Sequence, residues 1–151
     1  MNKVQVKIIS KDDDDENIPK YSTLFAAGAD LKANIKENVI LSPSKTVLVP
    51  TGIYLEIPKN FEVQIRPRSG LALNNGITVL NTPGTIDSDY QGEIKVILIN
   101  HSNEDFIIIP KMRIAQMVLS FVYRAEFIKC KKLSLSQSNR GVKGFGHTGT
   151  H

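Results

Sequence analysis

The sequence predicts a domain built almost entirely of β-strands, arranged as a sandwich or a jelly roll. Many short apolar runs show the period of two that marks a half-buried strand. Turn residues separate these runs at short intervals, and almost no segment has a helical pattern. Closely spaced strands of this kind are typical of all-β architectures. Because no internal repeat or linker divides the 151 residues, we expect a single domain over residues 1–151.

The predicted strands follow one another along the chain. Residues 4–8 and 61–66 alternate apolar and polar side chains most regularly, as strands with one buried face do. Pro50, Thr51 and Gly52 separate two apolar runs and predict a turn. The only helical turn is expected at residues 69–74. The other predicted strands are residues 46–49, 53–57, 77–80, 93–100 and 106–109.

The last apolar run, residues 113–124, fits two patterns. Some of its apolar side chains have the spacing of a helical stripe. Every second residue from Ala115 to Tyr123 is apolar, however, and Gln116, Ser120 and Arg124 among the intervening positions are polar. Because the alternation describes more of the segment, we predict a strand.

The composition is that of an ordinary globular protein, with 41% apolar and 23% charged residues. Cys130 is the only cysteine, so the chain can form neither an internal disulfide nor a cysteine cage for zinc. This composition suits a reducing compartment, and we expect a cytoplasmic protein. No apolar stretch approaches the length of a membrane span, and the first ten residues lack the apolar core of a signal peptide. Neither membrane insertion nor secretion is expected.

Charge is distributed unevenly along the chain. Residues 1–105 carry 11 basic and 14 acidic side chains, whereas residues 106–151 carry 8 basic and 1 acidic side chain. A basic C-terminal third favours an anionic ligand, although a solvated basic face is the alternative. The acidic run at residues 12–16 is predicted to be a solvated loop, with metal binding as a minor alternative.

The last twelve residues, 140–151, have the composition of a flexible arm. Four glycines oppose steady helix or strand formation there. Phe145 lies between two of these glycines, and Arg140 precedes them. An aromatic ring and a guanidinium in such a segment suggest an arm that orders over a ligand, with Phe145 stacking and Arg140 pairing with phosphate.

Four further segments contain residues suited to chemistry. Residues 27–33 contain Asp30 in a glycine-containing turn, and residues 66–72 place Arg68 and Ser69 at a predicted helix start. Amides and a hydroxyl group at such a start favour phosphate. Residues 81–92 carry two acidic residues, Asp87 and Asp89, in a predicted hairpin bounded by glycines. Residues 113–119 embed Gln116 and a second polar residue in an apolar strand.

Taken in order with the arm, these segments resemble the five motifs of the homotrimeric dUTP pyrophosphatases, the dUTPase family. The resemblance spans residues 27–149, and its specificity lies in five motifs with compatible gaps. Residues 49–53 also resemble a stretch common between the first two motifs. The resemblance implies a distorted jelly-roll trimer whose three active sites lie at subunit interfaces. It also implies Mg2+-dependent hydrolysis of dUTP to dUMP and pyrophosphate, by attack of water on the α-phosphorus.

The resemblance implies that the third motif binds the attacking water and forms the nucleoside pocket. Asp87 is expected to be the general base, and Asp89 is the competing candidate. Tyr90 would pack under the deoxyribose and leave no space for a 2′-hydroxyl, so UTP should be a poor substrate. Asn81 and the hairpin backbone would read the polar edge of uracil. A rigid backbone wall would have to reject thymine, since a methyl group alone changes binding by only about 1–3 kcal/mol.

The remaining motifs are expected to hold the triphosphate and its magnesium ion. The residues implied to bind phosphate are Arg68, Ser69, Gly70, Gln116 and Arg140, by electrostatic positioning. For Asp30 two roles stay open: contact with magnesium through water, or bracing of the neighbouring strand. Phe145 would stack on uracil when the arm closes. Lys143 departs from the family pattern, which has glycine there, and this leaves the kinetics of the arm open.

Other functions fit the residues less well. A dCTP deaminase resembles this family in fold and in its second motif, but the chain offers no obvious glutamate to activate water at cytosine. A regulatory nucleotide-binding module should lack the general base or the arm, and both are present. Nucleic-acid binding is not expected, because the basic residues are interleaved with phosphate motifs and lack an aromatic platform.

Overall fold

The computed structural model describes residues 3–131, which form antiparallel strands and one short helix. Two single 3-10 turns, Lys11–Asp13 and Asp15–Asn17, follow the first strand. The elements in chain order are β1 (Lys7–Ser10), β2 (Ala29–Lys32), β3 (Val39–Leu41), β4 (Thr46–Glu56), β5 (Phe61–Arg66), α1 (Ser69–Asn75), β6 (Ile77–Val79), β7 (Gly84–Ile86), β8 (Ile94–Asn100), β9 (Phe106–Ile108) and β10 (Arg113–Phe121).

The strands form two four-stranded sheets and a two-stranded ribbon. The first sheet has the order β1-β4-β8-β6, the second has the order β2-β10-β5-β7, and β3 pairs with β9. Buried apolar side chains from all three belong to one cluster, so the core lies between the sheets. Strand β8 shows the underlying pattern, because Ile94, Val96 and Leu98 are buried while Lys95 between them is exposed. The predicted all-β architecture is confirmed.

The segment predicted as a turn at Pro50-Thr51-Gly52 is part of a continuous strand, so that prediction was wrong. The pairing of β4 with β8 shifts register between Pro50 and Ile53, which is a β-bulge. Gly52 takes a φ of +69°, and the Thr51 hydroxyl donates to the Ile94 carbonyl oxygen at 2.6 Å. The turn-forming residues therefore bend the strand without ending it.

Three short strands, β2, β3 and β7, were not predicted. They have four, three and three residues. The predicted helical turn is confirmed as α1, and most of the segment 113–124 forms strand β10, as alternation indicated. This strand ends at Phe121, and Cys130 is exposed outside any strand. No helix within residues 3–131 has the length and apolar character needed to cross a membrane.

The acidic run forms a more ordered structure than the predicted solvated loop. The Asp14 carboxylate accepts a hydrogen bond from the Glu16 N–H at 3.0 Å and pairs with the Lys111 ammonium. Lys111 also donates to the Asn17 side chain, which is buried. The hydrogen bond from Lys111 lowers the pKa of Asp14 below its ordinary value. The run is thus attached to the turn that precedes β10.

Candidate active site

Strand β10 places a row of polar side chains on the outer face of the second sheet. Gln116 lies directly opposite Asp30 of β2 on one side and Arg66 of β5 on the other. Directly opposite residues of antiparallel strands project from the same face of the sheet. The adjacent pair, Leu31 and Ala115, is fully buried in the core, so the polar row faces outward.

Asp30 is held by two guanidinium groups. Its Oδ1 accepts a hydrogen bond from Arg68 Nε at 2.9 Å, and its Oδ2 accepts one from Arg113 at 3.4 Å. Arg68 also donates to the Arg113 backbone carbonyl oxygen at 3.2 Å. The Asp30 side chain is only 19% exposed, so these contacts lie partly out of water. The carboxylate therefore orients Arg68 at the beginning of α1.

Gln116 is fixed by a hydrogen bond and by a close contact. Its Nε2 donates to the Pro67 carbonyl oxygen at 2.9 Å, which joins β10 to the segment before α1. A Cβ atom added at Gly28 would overlap the Gln116 Oε1 atom and lie 3.0 Å from its Cδ. Glycine at position 28 thus leaves the space that the Gln116 side chain occupies.

A cleft of about 400 Å³ opens beside these residues, and we call it the β2–α1 cleft. A Cβ atom added at Gly70 would meet no atom of residues 3–131 within 4 Å, so packing among these residues does not require glycine there. Space at this position permits a ligand to approach the backbone closely. The cleft brings together five predicted site residues: Asp30, Arg68, Ser69, Gly70 and Gln116.

A second cleft, of about 390 Å³, contains Asp87 and Tyr90, and we call it the β7–β8 cleft. The Tyr90 N–H donates to the Asp87 carbonyl oxygen at 3.1 Å, and the Tyr90 hydroxyl donates to the Glu93 carbonyl oxygen at 2.9 Å. A Cβ atom added at Gly92 would lie 2.6 Å from Tyr90 Cζ. The tyrosine ring therefore packs directly against Gly92. Asp89 does not line this cleft, whereas Asp87 does.

The two clefts lie at different positions along the second sheet. Ile86, the residue before Asp87, pairs with Val63 of β5, whereas Gln116 pairs with Arg66 of the same strand. The three-residue step from Val63 to Arg66 corresponds to about 10 Å of extended strand. A single chain thus divides the predicted site residues of its described part between two clefts.

One predicted residue of the described part, Asn81, lies outside both clefts. Asn81 is exposed, and its Nδ2 lies 3.3 Å from the position that a Cβ on Gly84 would occupy. Its side chain is therefore close to the first residue of β7. Arg140 and Phe145, together with the predicted arm, lie outside the described residues.

Several contributors were not assigned from the sequence. Gly28 and Gly92 each make room for a predicted site residue, and Glu93 supplies the carbonyl group that holds Tyr90. Gly28 and Gly92 lie inside the recognised motifs and Glu93 directly follows the third motif, which is the only signal the sequence offers. Their roles depend on contacts with particular side chains, and these become visible only in the fold.

The donor groups indicate what kind of metal site the chain could form. Among residues 3–131, no three His, Cys, Asp or Glu side chains gather in a metal-binding group. The Asp30 carboxylate is already paired with two guanidiniums. Such a donor set suits a cation that arrives with most of its own ligands, as magnesium does when it is bound to phosphates and water.

Comparison with known proteins identifies the family. A family model described as dUTPase matches residues 14–149. The chain belongs to the dUTPase family. It is 62% identical to a deoxyuridine 5'-triphosphate nucleotidohydrolase from Chlamydia pneumoniae over 132 residues, which are 87% of this chain and 90% of that protein. A protein of the same name from Fusobacterium nucleatum is 51% identical over 149 residues, 99% of each chain.

Solved structures with a similar fold are also dUTPases. A point mutant of the Staphylococcus bacteriophage 80alpha dUTPase, determined with dUpNHpp, has a TM-score of 0.79 at 20% identity, over 96% of this chain and 98% of that chain. A mutant dUTPase of phage phi11 of S. aureus, with a structural Mg(II) ion, has a TM-score of 0.76 at 16% identity, over 87% of this chain and 99% of that chain. The predictions of a dUTPase-like fold and of an enzyme of this family are confirmed.

Proposed function

We propose that this protein hydrolyses dUTP to dUMP and pyrophosphate. The observation that carries the proposal is the β2–α1 cleft, where Arg68, Ser69, Gly70 and Gln116 converge. Relatives that are 62% and 51% identical are named as dUTP nucleotidohydrolases. The bound dUpNHpp of the phage 80alpha dUTPase supports the same class of substrate.

The β2–α1 cleft would bind the triphosphate. Arg68 supplies a guanidinium oriented by Asp30, and the Ser69 hydroxyl and the Gln116 amide supply neutral donors. The first N–H groups of α1 have no carbonyl partner within the helix and add further donors. Because this arrangement exists before the substrate binds, little reorganisation is required when charge shifts in the transition state.

Asp87 would hold the attacking water and accept its proton as the α-phosphorus is attacked. A general base must reach the water in a substrate complex, and Asp87 lines a cleft whereas Asp89 does not. Transfer of the proton to the carboxylate would accompany formation of the new phosphorus–oxygen bond. Cleavage of the bond from the α-phosphorus to the bridging oxygen would then release pyrophosphate.

The third motif would select the nucleoside. Tyr90 is fixed by the hydrogen bond from its hydroxyl to the Glu93 carbonyl oxygen and by the contact of its ring with Gly92. The ring therefore offers a rigid surface for deoxyribose. A ribose 2′-hydroxyl would meet this ring. Asn81 and the backbone beside Gly84 would bind the polar edge of uracil. A rigid hairpin would exclude the methyl group of thymine by contact.

Magnesium would be bound mainly by the substrate. Asp30 would contact a magnesium-bound water, since its carboxylate is already committed to Arg68 and Arg113. When bound, magnesium would neutralise part of the triphosphate charge. The same Asp30 contacts support the bracing role as well, so one side chain can orient Arg68 and face the hydrated ion.

A homotrimer would bring the two clefts together. Asp87 and Gln116 occupy separate clefts of one chain, although the reaction needs water and triphosphate at the same site. Cyclic symmetry allows the β7–β8 cleft of one subunit to face the β2–α1 cleft of its neighbour. The arm would complete the site, with Arg140 on phosphate and Phe145 on uracil. In a reducing cytoplasm this activity would keep uracil out of DNA and supply dUMP for thymidylate synthesis, with no nucleic-acid or membrane partner.

Product analysis tests the proposal directly. The protein is incubated with magnesium and, separately, with dUTP, dTTP, dCTP or UTP, and the products are separated by ion-exchange chromatography. We expect dUMP and pyrophosphate from dUTP alone. Deamination of dCTP would replace the proposal with a deaminase, and binding of dUTP without turnover would replace it with a regulatory module.

A further inference from the structure

Glu93 joins the β-bulge of β4 to the segment that contains Tyr90. Its Oε1 accepts a hydrogen bond from the Gly52 N–H at 2.9 Å, and its side chain is 16% exposed. Gly52 has a left-handed φ of +69°, so the bulge directs this N–H away from the regular ladder and toward residue 93. The carboxylate is the acceptor for a backbone donor that the bulge displaces.

The backbone of the same residue holds Tyr90. The Glu93 carbonyl oxygen accepts the Tyr90 hydroxyl at 2.9 Å. One position later, the Ile94 carbonyl oxygen accepts the Thr51 hydroxyl at 2.6 Å, which attaches the start of β8 to the bulge a second time. The location of the Tyr90 hydroxyl thus depends on where the bulge holds residue 93.

We propose that Glu93 is a positioning residue that sets the discrimination between dUTP and UTP. Its carboxylate binds the Gly52 N–H, fixes the residue 93 carbonyl and thereby keeps the Tyr90 ring in place. This inference rests on the proposed function, in which Tyr90 excludes the ribose 2′-hydroxyl. A ring that can move would accommodate the extra hydroxyl, and selectivity would fall more than overall turnover.

The contact requires an acceptor at the correct reach, and the negative charge of Glu93 is secondary. Among the described residues, the cation nearest to this carboxylate is Lys95, whose Nζ lies 3.9 Å from Glu93 Oε2, too far for a hydrogen bond. Glutamine has an acceptor oxygen at the same distance along the side chain. Aspartate keeps the charge, but its side chain is one methylene shorter and does not reach Gly52.

The experiment compares Glu93→Ala, Glu93→Asp and Glu93→Gln with the wild-type protein, and it uses Lys95→Ala as the control for the ion pair. For each protein, kcat/KM is measured with dUTP and with UTP, and the ratio of the two is the readout. Circular dichroism establishes that each variant is folded. Hydrogen–deuterium exchange at the Gly52 amide reports the proposed hydrogen bond without any substrate.

We expect the dUTP/UTP ratio to fall by about three- to tenfold in Glu93→Ala and Glu93→Asp, as loss of one ordinary hydrogen bond implies. Exchange at the Gly52 amide should accelerate in the same two variants. Glu93→Gln and Lys95→Ala should keep both the ratio and the slow exchange. If Glu93→Ala fails to fold, the comparison of Glu93→Asp with Glu93→Gln still separates the effect of side-chain length from the effect of charge.

Two results would overturn the inference. An unchanged ratio in Glu93→Asp despite faster exchange at Gly52 would show that the contact exists but does not position Tyr90. Loss of selectivity in Glu93→Gln, with the wild-type ratio kept in Glu93→Asp, would show that the negative charge matters and that the reach of the side chain does not. Failure of the proposed function is distinguishable, because the wild-type protein would then hydrolyse neither nucleotide while the exchange measurement would be unaffected.

Discussion

Replacing Gly28 with alanine should damage the proposed phosphate-binding half of the site while barely changing stability. The added Cβ atom would occupy the position of Gln116 Oε1, which lies at the end of a flexible side chain. Gln116 can therefore rotate away, but it then loses its hydrogen bond to the Pro67 carbonyl oxygen. The variant should fold with Gln116 displaced from the β2–α1 cleft.

Two effects on stability oppose one another. Loss of the Gln116–Pro67 hydrogen bond costs about 0.5–1.5 kcal/mol. Replacing glycine with alanine stabilises by about 0.4–1 kcal/mol where the backbone is compatible, because the unfolded chain loses freedom. These two changes in the free energy of unfolding nearly cancel. Loss of Gln116 as the proposed phosphate donor has no such compensation, so kcat/KM for dUTP should fall by about tenfold, equivalent to about 1.4 kcal/mol.

A double-mutant cycle tests this reasoning. The proteins are the wild type, Gly28→Ala, Gln116→Ala and the double variant, and each is measured by urea denaturation and by steady-state hydrolysis of dUTP. Residues in contact give non-additive effects. We expect Gly28→Ala to reduce activity in the wild-type background only. Without the Gln116 side chain, the same substitution should leave kcat/KM unchanged and should stabilise the fold.

A tenfold loss of activity from Gly28→Ala in the Gln116→Ala background would refute this explanation, because the effect could not then act through the Gln116 side chain. Wild-type activity in the single variant would refute it as well, since Gln116 would not need its observed position. Gly70→Ala is a useful contrast. Its Cβ would meet no atom of the described residues, so a loss of activity there would not come from packing among them and would fit contact with a bound ligand.

Three further predictions concern catalysis, assembly and pH. Asp87→Asn should lower kcat for dUTP by about 10²- to 10⁴-fold while nucleotide binding, measured by calorimetry, is retained; turnover close to wild type would remove Asp87 from the role of general base. Sedimentation should show a particle of about 50 kDa, three chains of 16.8 kDa, and an active monomer would contradict shared sites. Because pairing with Lys111 lowers the pKa of Asp14, the ionised form stabilises the fold above the ordinary aspartate pKa, and this contribution is lost as the pH falls through the lowered pKa. The melting temperature should therefore fall less between about pH 6 and pH 3 in Asp14→Asn than in the wild type, and parallel pH profiles would contradict this role of the ion pair.

The sequence by itself determined the class of fold and the family. Strand geometry alternates side chains between two faces, so β8 and β10 could be recognised from their own residues. The motifs placed Asp87, Tyr90, Arg68 and their neighbours on the list of candidate residues through their order along the chain. These features are local or depend only on spacing along the chain, so they can be recognised without knowing which strands pair.

The tertiary structure decided how those residues act together. Pro50 to Gly52 form a bulge because β4 continues its pairing with β8 beyond them. Asp30 can orient Arg68 because β2 and β5 both pair with β10, one on each side, which brings Asp30 close to the residues that follow β5. Register across the second sheet places Asp87 and Gln116 in different clefts. Each of these arrangements joins residues that are far apart in sequence. Long-range packing produces them, and local propensity alone cannot predict them.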